Sequence, residues 1–218
     1  MIALLYTNLV GKFDSCDPDV IRGLLPPELG RLAEKYRRPD DQIRSLASKY
    51  LLLKALELFG ISGPYRYIAE TARSKPILEG VTDFSFNITH SANIVICAAS
   101  DGAELGVDAE QVRPAPDIVH RGVFTQNELE LLQRDANDPQ AYLRLWTRKE
   151  ALSKADGRGM RLQFRETDAT ENSVEVGDMR YAIVDIHGLP DGYVGALAYA
   201  QGEAAVDIEL REVPIPSI

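Results

Sequence analysis

Two acidic residues, Asp108 and Glu110, alternate within the short run Leu105-Gly106-Val107-Asp108-Ala109-Glu110. In a β-strand, residues i and i+2 point to the same face, so the two carboxylates project together. They repel each other unless a proton or a cation lies between them. Carboxylate oxygens suit Mg²⁺, which completes its coordination shell with water and substrate phosphate. The pair therefore suggests a metal site, although ordinary solubilising acids on an exposed strand edge would show the same pattern.

A second candidate cluster follows about forty residues later, in Trp146-Thr147-Arg148-Lys149-Glu150-Ala151-Leu152-Ser153-Lys154. Trp146, Glu150 and Lys154 are spaced by four and would share one face of a helix. Glu150 would add a third carboxylate, and Lys154 an ammonium group for phosphate charge. A surface Glu–Lys pair with Trp146 in the core would explain the same spacing, and that alternative stays open for this segment alone.

Polar and basic residues also occur earlier, in Arg73-Ser74-Lys75-Pro76 and in Phe86-Asn87-Ile88-Thr89-His90-Ser91. Their ammonium, amide, hydroxyl and imidazole groups are donors suited to phosphate oxygens. A hydrogen-bonded turn between two strands would equally account for residues 87–91.

Composition limits the classes of protein that fit. The chain has 218 residues, 45% apolar and 26% charged, which suits one large or two small globular domains. Its apolar runs are far shorter than the ~20 residues of a membrane-spanning helix. The start, MIALLYTNLV, lacks a basic n-region and is predicted to be an edge strand rather than a signal peptide. Two cysteines are too few for a disulfide framework, so a cytoplasmic location away from membranes is expected.

Charge is unevenly distributed along the chain. The net charge of −9 argues against nucleic-acid binding. Residues 31–54 nevertheless carry an excess of four positive charges, and residues 142–165 an excess of five. Two basic regions on an acidic chain indicate a focused site for phosphates or an acidic partner protein. Two helices with solvated basic faces are the alternative.

The elements that position these residues follow from periodicity. Apolar residues from Ile43 to Leu58, spaced by three and four, predict a helix that begins after Asp40–Asp41 and ends with Gly60 at the C′ position. Thr125 and Glu128 form a candidate capping box. Shorter or later helices are predicted at Asp19–Gly23, Glu128–Arg134 and Asp138–Lys154.

Alternating and β-branched runs predict the strands. Beyond the first ten residues these are Tyr65–Ala69, Phe84–Ile88, Asn93–Ala99, Leu105–Glu110, Ser173–Val176, Arg180–Ile186 and Tyr193–Tyr199. Turns are predicted at Pro76–Gly80 and, as a hairpin, at Asp101–Gly102, with a loose tail over the last six residues. Helices followed by antiparallel strands, twice, predict two α+β halves that meet near residue 102.

The order and separation of these motifs resemble the 4′-phosphopantetheinyl transferases, specifically the two-halved type that acts as a single chain. The matching residues are G-V-D-A-E, the later W-T-R-K-E-A-x-x-K-x-x-G-R-G, and the upstream S-K-P and F-N-I-T-H-S. Ser74, Thr89 and Arg158 stand where glycine, serine and lysine are usual in that family. The resemblance covers roughly residues 36–160.

The resemblance implies a fold and an activity. The fold is an α+β pseudo-dimer of similar halves, each a long helix packed on a small antiparallel sheet: residues 1–102 bind the nucleotide and residues 103–218 supply the carboxylates. The activity is Mg²⁺-dependent transfer of the 4′-phosphopantetheine arm of coenzyme A to a serine of an acyl, peptidyl or aryl carrier protein, releasing adenosine 3′,5′-bisphosphate. The pathway would be fatty acid, polyketide or nonribosomal peptide biosynthesis.

The resemblance also implies roles for residues. Asp108, Glu110 and Glu150 would hold Mg²⁺, and Glu150 and Lys154 would be catalytic. Coenzyme A would be bound by Arg44, Ser45, Lys49, Arg73, Lys75, Asn87, Thr89, His90, Asp108 and Lys154. Arg31 and Lys35 are further candidates for a nucleotide phosphate. As an exposed strand acid, Asp108 is expected to contribute little to stability.

Two alternatives come from other classes. A non-catalytic relative would bind coenzyme A or a carrier protein without transfer. A different Mg²⁺-dependent phosphotransferase would need a loop such as G-x-x-x-x-G-K-[ST], which the sequence does not contain. The chain is expected to be a monomer whose affinity for an acidic carrier protein weakens as salt rises.

Overall fold

The computed structural model describes residues 1–13, 16–62, 66–68, 76–113, 122–159, 164–202 and 205–216, with the backbone alone at residues 66–68. These parts form a mixed α+β fold. The α-helices are α1 (Pro18–Gly23), α2 (Pro27–Gly30), α3 (Pro39–Leu58), α4 (Gln126–Arg134) and α5 (Ala141–Asp156). The strands are β1 (Ile2–Asn8), β2 (Arg66–Ile68), β3 (Ile77–Glu79), β4 (Ser85–Ser91), β5 (Ile94–Ser100), β6 (Leu105–Gln111), β7 (Ser173–Val176), β8 (Met179–Asp185), β9 (Tyr193–Ala200) and β10 (Ile208–Glu212).

The first sheet has the strand order β10-β1-β5-β4. β1 pairs antiparallel with β5 and parallel with β10, so the prediction that it is an edge strand was wrong. The strand on its second edge, β10, comes from the far end of the chain, so the sequence pattern around β1 could not indicate it. The predicted loose tail was also wrong for its first residues: Val213 N donates to Tyr6 O, and Ile215 is only 4% exposed.

The second sheet, β6-β9-β8-β7, is antiparallel throughout, as predicted for its strands, and β6 pairs with β9 rather than with β7. A small third sheet pairs β2 with β3, so the segment Pro76–Gly80 is in part a strand and not only a turn. Asp101–Gly102 is a turn, with Gly102 at φ = 111°. It connects strands of two different sheets, however, so the predicted hairpin there was wrong.

The long helix α3 confirms the periodicity argument. Pro39 occupies its first turn with Asp40 and Asp41, and Gly60 follows its end in the left-handed region at φ = 66°. Its apolar face packs in one core with residues of β1 and β5, Cys97 among them. From the same helix, Arg44 donates to Ala92 O in the turn between β4 and β5.

The helix α5 lies against β6 and β9 of the second sheet. A Cβ atom at Gly106 would lie 2.3 Å from both Ala151 O and Ala155 N, so the glycine permits this close approach. α5 ends at Gly157, φ = 79°, and α4 begins with the predicted capping box of Thr125 and Glu128.

The two sheets share a further core. Side chains of β1 and β5, such as Leu4 and Ile96, pack with Val107 of β6 and Leu197 of β9. This contact brings the edge strands β4 and β6 side by side. The predicted boundary at residue 102 falls in the turn between the sheets, and β10 completes the first sheet from the second part of the chain. Over the described ranges, no helix is long and apolar enough to cross a membrane.

Candidate functional site

The neighbouring edges of β4 and β6 are joined through side chains. Asn87, Thr89 and Ser91 alternate along β4 and therefore face β6 together. Thr89 Oγ1 donates to Asp108 Oδ1 (3.1 Å), and Ser91 Oγ donates to Glu110 Oε2 (2.7 Å). We call this junction the seam; it consists of Asn87, Thr89 and Ser91 of β4 and of Val107, Asp108, Glu110 and Gln111 of β6.

The same β4 side chains satisfy backbone groups of β6. Asn87 Oδ1 accepts from Val107 N at 3.0 Å, and Ser91 Oγ accepts from Gln111 N at 3.0 Å. Buried backbone donors need partners, and side chains supply them here in place of a backbone ladder. The polar alternation in β4 is thus explained by the seam, and the interpretation of residues 87–91 as a turn was wrong.

Asp108 lies at the centre of the seam and is buried, with 7% of its surface exposed. Lys154 Nζ donates to Asp108 Oδ1 at 2.7 Å, while Asp108 Oδ2 is buried without a hydrogen-bond partner among the described residues. Burial raises the pKa of Asp108, opposed by Lys154 and Thr89. The expectation of an exposed strand acid was therefore wrong, because β4 and α5 cover this part of β6.

Glu150 shares the electrostatic environment of Asp108. Burial raises the pKa of Glu150, the negative charge of Asp108 raises it further, Lys154 lowers it, and Glu110 adds a smaller increase. The three predicted carboxylates thus face one region, next to one ammonium group. Their side chains are not drawn together around a point: the described part of the chain contains no cluster of three or more His, Cys, Asp or Glu side chains placed to hold a metal ion.

Trp146, on the same helix, has a different environment from Glu150 and Lys154. Its ring stacks on Tyr142 with centroids 6.5 Å apart, and it packs against the core of the second half. The alternative interpretation of the stripe placed Trp146 in the core, and the ring does pack against that core.

His90 marks the cationic side of the site. It is an exposed residue at the end of β4, yet partial burial of its imidazole lowers the pKa of His90, and the positive charges of Arg44, Lys154 and Lys49 lower it further against the opposing effect of Asp41. Arg44 is held by Ala92 O (2.9 Å) and by Asp41 Oδ1 (2.9 Å). Cations of α3 and of α5 therefore both lower the pKa of this imidazole.

Lys49 extends this cationic region along α3. Burial lowers the pKa of Lys49 to about 8, with a further lowering by the charge of Lys35. Ser45 is half-buried one helical turn earlier, and Arg31 is exposed before the helix. Arg73 and Lys75, predicted to bind coenzyme A, lie outside the described residues.

One charged cluster was missed by the sequence analysis. Lys149 Nζ donates to both carboxylate oxygens of Glu128 (2.8 and 2.7 Å) and to the carbonyls of Phe164 and Thr167. Arg148 is also buried and donates to Ala169 O. The second basic region is therefore not a solvated face, since two of its cations hold the segment before β7. The capping box pointed to Glu128, but nothing local indicated its partner.

The oxygen atoms in and beside the seam are chemically suited to bind a hard divalent cation. Asp108 offers a buried oxygen without a partner, and neighbouring Glu110 and Glu150 supply further carboxylate oxygens. Such oxygens are the ligands that Mg²⁺ prefers.

Comparison with known proteins adds independent findings. Residues 104–196 match the model of the 4′-phosphopantetheinyl transferase superfamily, and this span contains Asp108, Glu110, Glu150 and Lys154. The chain is 28% identical to the 4′-phosphopantetheinyl transferase Sfp of Bacillus subtilis (85% of this chain and 87% of that protein). It is 25% identical to psf-1 of Bacillus pumilus (82% and 80%) and 32% identical to HetI of Nostoc sp. (65% and 63%), both 4′-phosphopantetheinyl transferases.

The expected resemblance is confirmed, since one family model covers the carboxylate and helix motifs and related transferases align with most of the chain. The seam and the neighbouring residues Glu150 and Lys154 lie in or beside the motifs that carried the resemblance. Residues 104–196 are thus similar to the 4′-phosphopantetheinyl transferase superfamily, and transferases of that name align with most of the chain.

Proposed function

We propose that this protein transfers the 4′-phosphopantetheine arm of coenzyme A to a serine of a carrier protein and releases adenosine 3′,5′-bisphosphate. One observation carries the proposal: Lys154 Nζ contacts both Asp108 Oδ1 (2.7 Å) and Thr89 Oγ1 (3.3 Å), so groups from both halves meet at one point. Carboxylates act on Glu150 and cations act on His90 in this region, a combination suited to a metal–phosphate pair. The names of the relatives support the same reaction.

On the acidic side, Asp108, Glu110 and Glu150 would hold Mg²⁺. When bound, the ion supplies charge neutralisation and Lewis-acid polarisation at the phosphate. Glu110 is oriented by Ser91, and Asp108 by Thr89 and Lys154.

On the cationic side, the phosphates of coenzyme A would lie against Arg44, Ser45, Lys49, Thr89 and His90. Because Asn87 uses its carbonyl oxygen on Val107 N, its contribution would come from its amide nitrogen. Arg73 and Lys75 remain predictions, as do Lys35 and Arg31.

The proton and the leaving group have separate partners in this proposal. The serine hydroxyl of the carrier forms the new bond to phosphorus, and the bond from that phosphorus to the nucleotide oxygen breaks. Glu150 accepts the serine proton, a role favoured by the upward shift of the Glu150 pKa. Lys154 stabilises the charge on the departing phosphate.

We further propose that residues 1–102 and 103–218 are two similar halves of a pseudo-dimer acting as a monomer. Each has a long helix, α3 or α5, beside a sheet: residues 1–102 supply three strands of the first sheet, which β10 completes, and residues 103–218 supply all four strands of the second. An acidic carrier protein would dock near the basic residues that precede and begin α3.

The test is the mass gain of a carrier protein mixed with the enzyme, coenzyme A and Mg²⁺. Asp108→Ala and Glu150→Ala should each lower the transfer rate by about 1000-fold, the scale on which loss of one charge-stabilising group acts. Lys54→Met is the matched control, because Lys54 pairs with Glu57 on the far part of α3. Near-normal transfer by both alanine variants would refute the assignment, and coenzyme A binding without any mass gain would indicate the non-catalytic alternative.

A further inference from the structure

We infer that Lys154 is an internal competitor for the cation site: its ammonium group holds Asp108 and has to be released before a divalent cation and a phosphate group are both bound. The inference deepens the proposed function, because it concerns the same seam. It adds a property that the transfer reaction does not require, namely that the protein weakens its own cation site until an anion draws Lys154 away.

The geometry of Lys154 shows that its donors are used inside the protein. Nζ donates to Asp108 Oδ1 (2.7 Å), to Val107 O (3.0 Å) and to Thr89 Oγ1 (3.3 Å). An ammonium group has three N–H donors, so these contacts engage all of them. Lys154 can therefore donate to a phosphate only by giving up a contact within the seam.

The surroundings of Asp108 make the pair costly to open without a replacement. The Asp108 side chain is 9% exposed, compared with 28% for Lys154. A buried carboxylate that loses its cation is strongly destabilised, whereas one that exchanges it for another cation is not. The lysine, with its more exposed side chain, is the partner that can move out, and the unpartnered Oδ2 is an oxygen available to an incoming ion.

Two cations on one buried carboxylate repel each other, since charges at contact distance interact strongly away from bulk water. A divalent cation at Asp108 therefore favours departure of Lys154, and a phosphate that attracts Lys154 favours entry of the cation. Coupling of this kind is reciprocal, so each ligand strengthens the binding of the other. If Lys154 were instead a permanent brace, a cation would use Oδ2 with the lysine still in place.

The experiment measures Mn²⁺ binding to the full chain without coenzyme A, by electron paramagnetic resonance of the free ion. Mn²⁺ is chosen because it shares the preference of Mg²⁺ for carboxylate oxygens. Lys154→Met and Lys154→Gln should each tighten Mn²⁺ binding by about tenfold, within the usual range of coupling between two ligands. Glutamine retains hydrogen-bond donors without the charge, so Lys154→Gln decides the question if circular dichroism shows that the methionine variant is unfolded.

Two controls separate competition from a general change of charge. Lys54→Met removes a distant cation, and Arg44→Met removes a cation of the same region that is held by Ala92 and Asp41. Both should alter Mn²⁺ affinity by less than about threefold, because neither releases Asp108. Adding Asp108→Asn to Lys154→Gln should abolish the gain.

The inference is overturned if the Lys154 variants bind Mn²⁺ as the parent protein does, or if Arg44→Met gives the same gain. It is also overturned if the gain survives Asp108→Asn. The carrier mass assay on the parent protein is a separate readout. If the parent protein transfers the arm but the Lys154 variants bind Mn²⁺ no more tightly than it does, the proposed function stands and Lys154 is not a competitor. Tightened Mn²⁺ binding of the Lys154 variants without transfer by the parent protein would support the competitor role of Lys154 and refute the proposed function.

Discussion

The helix α5 carries two lysine–carboxylate pairs that differ in how completely they are satisfied. Lys149 and Glu128 have side chains that are 1% and 0% exposed, and each oxygen of Glu128 accepts from Lys149 and from a backbone N–H, of Thr125 or Ala169. Lys154 and Asp108 are more open, and Asp108 Oδ2 has no partner in the described part of the chain.

The difference separates a structural pair from an exchangeable one. A fully hydrogen-bonded buried pair has no capacity left for a ligand, and it fixes α4, α5 and the segment before β7 relative to one another. A pair with one unused oxygen and a half-exposed cation can accept a new partner at small cost. The same residue types thus hold the fold at Lys149, in the middle of α5, and contribute to the candidate site at Lys154, near its C-terminus.

The first consequence concerns stability. Lys149→Met should lower the free energy of unfolding by about 3–5 kcal/mol, because it leaves the Glu128 carboxylate buried without its cation. Adding Glu128→Gln should restore most of the loss, since the pair is then neutral. Urea unfolding measures the free energy of unfolding of both variants. Lys154→Met is the matched variant on the Lys154–Asp108 pair, and it should lower that free energy clearly less. Equal losses for Lys149→Met and Lys154→Met would contradict the distinction.

A second change acts on the close contact between α5 and β6, which brings Lys154 next to Asp108. Gly106→Ala places a methyl group 2.3 Å from Ala151 O and Ala155 N and 2.7 Å from Lys154 Cβ. Because two of these atoms are helix backbone, α5 has to shift away from β6, at a cost of about 1–3 kcal/mol. Thermal unfolding should show a lower midpoint, and transfer should fall as well. Gly23→Ala is the control, since its added Cβ meets nothing within 4 Å. Unchanged unfolding of Gly106→Ala would show that the helix tolerates the methyl group.

The smallest effect is expected at Lys49, a partly buried lysine of α3 that belongs to neither pair. The pKa of Lys49 is lowered from 10.5 to about 8 by burial and by Lys35. It therefore loses its charge as pH rises above 8, and coenzyme A affinity should fall by about fivefold between pH 7 and pH 9. The folded chain also binds fewer protons than the unfolded chain between pH 8 and the ordinary lysine pKa, so this group makes stability rise with pH in that window.

Lys49→Arg should remove the fall in affinity, because a guanidinium stays protonated throughout this range. Isothermal titration calorimetry at pH 7, 8 and 9 measures the affinity of each protein for coenzyme A. Lys54→Arg is the control, since the hydrogen bond that Lys54 donates to Glu57 raises the pKa of Lys54. An identical decline in the parent protein and Lys49→Arg would exclude titration of Lys49 as its cause.

Much of the local architecture was predictable from pattern. The apolar period of α3, the capping box of α4 and the glycine after α5 were each confirmed, because all three depend on residues within a few positions of one another. The placement of Asp108 and Glu110 on one strand followed in the same way.

Errors occurred wherever a distant segment was the deciding partner. β1 was predicted to be an edge strand because β10 lies about two hundred residues away in the chain. Asp101–Gly102 has the composition of a hairpin turn, yet the next strand pairs with β9 instead of β5. Asp108 was expected to be exposed, since neither Thr89 nor Lys154 is adjacent to it in the chain.

The order of residues along this chain specifies the kinds of chemical group, the helix or strand that carries each of them, and the family that their motifs resemble. Local periodicity is sufficient for that, because it depends on backbone geometry over a few residues. Packing between segments far apart in the chain decides the rest. It buries Lys149 in a complete set of contacts with Glu128 and leaves Lys154 partly exposed beside Asp108. Burial and the count of hydrogen-bond partners are properties of that packing, and they distinguish the lysine that holds the fold from the one that serves the candidate site.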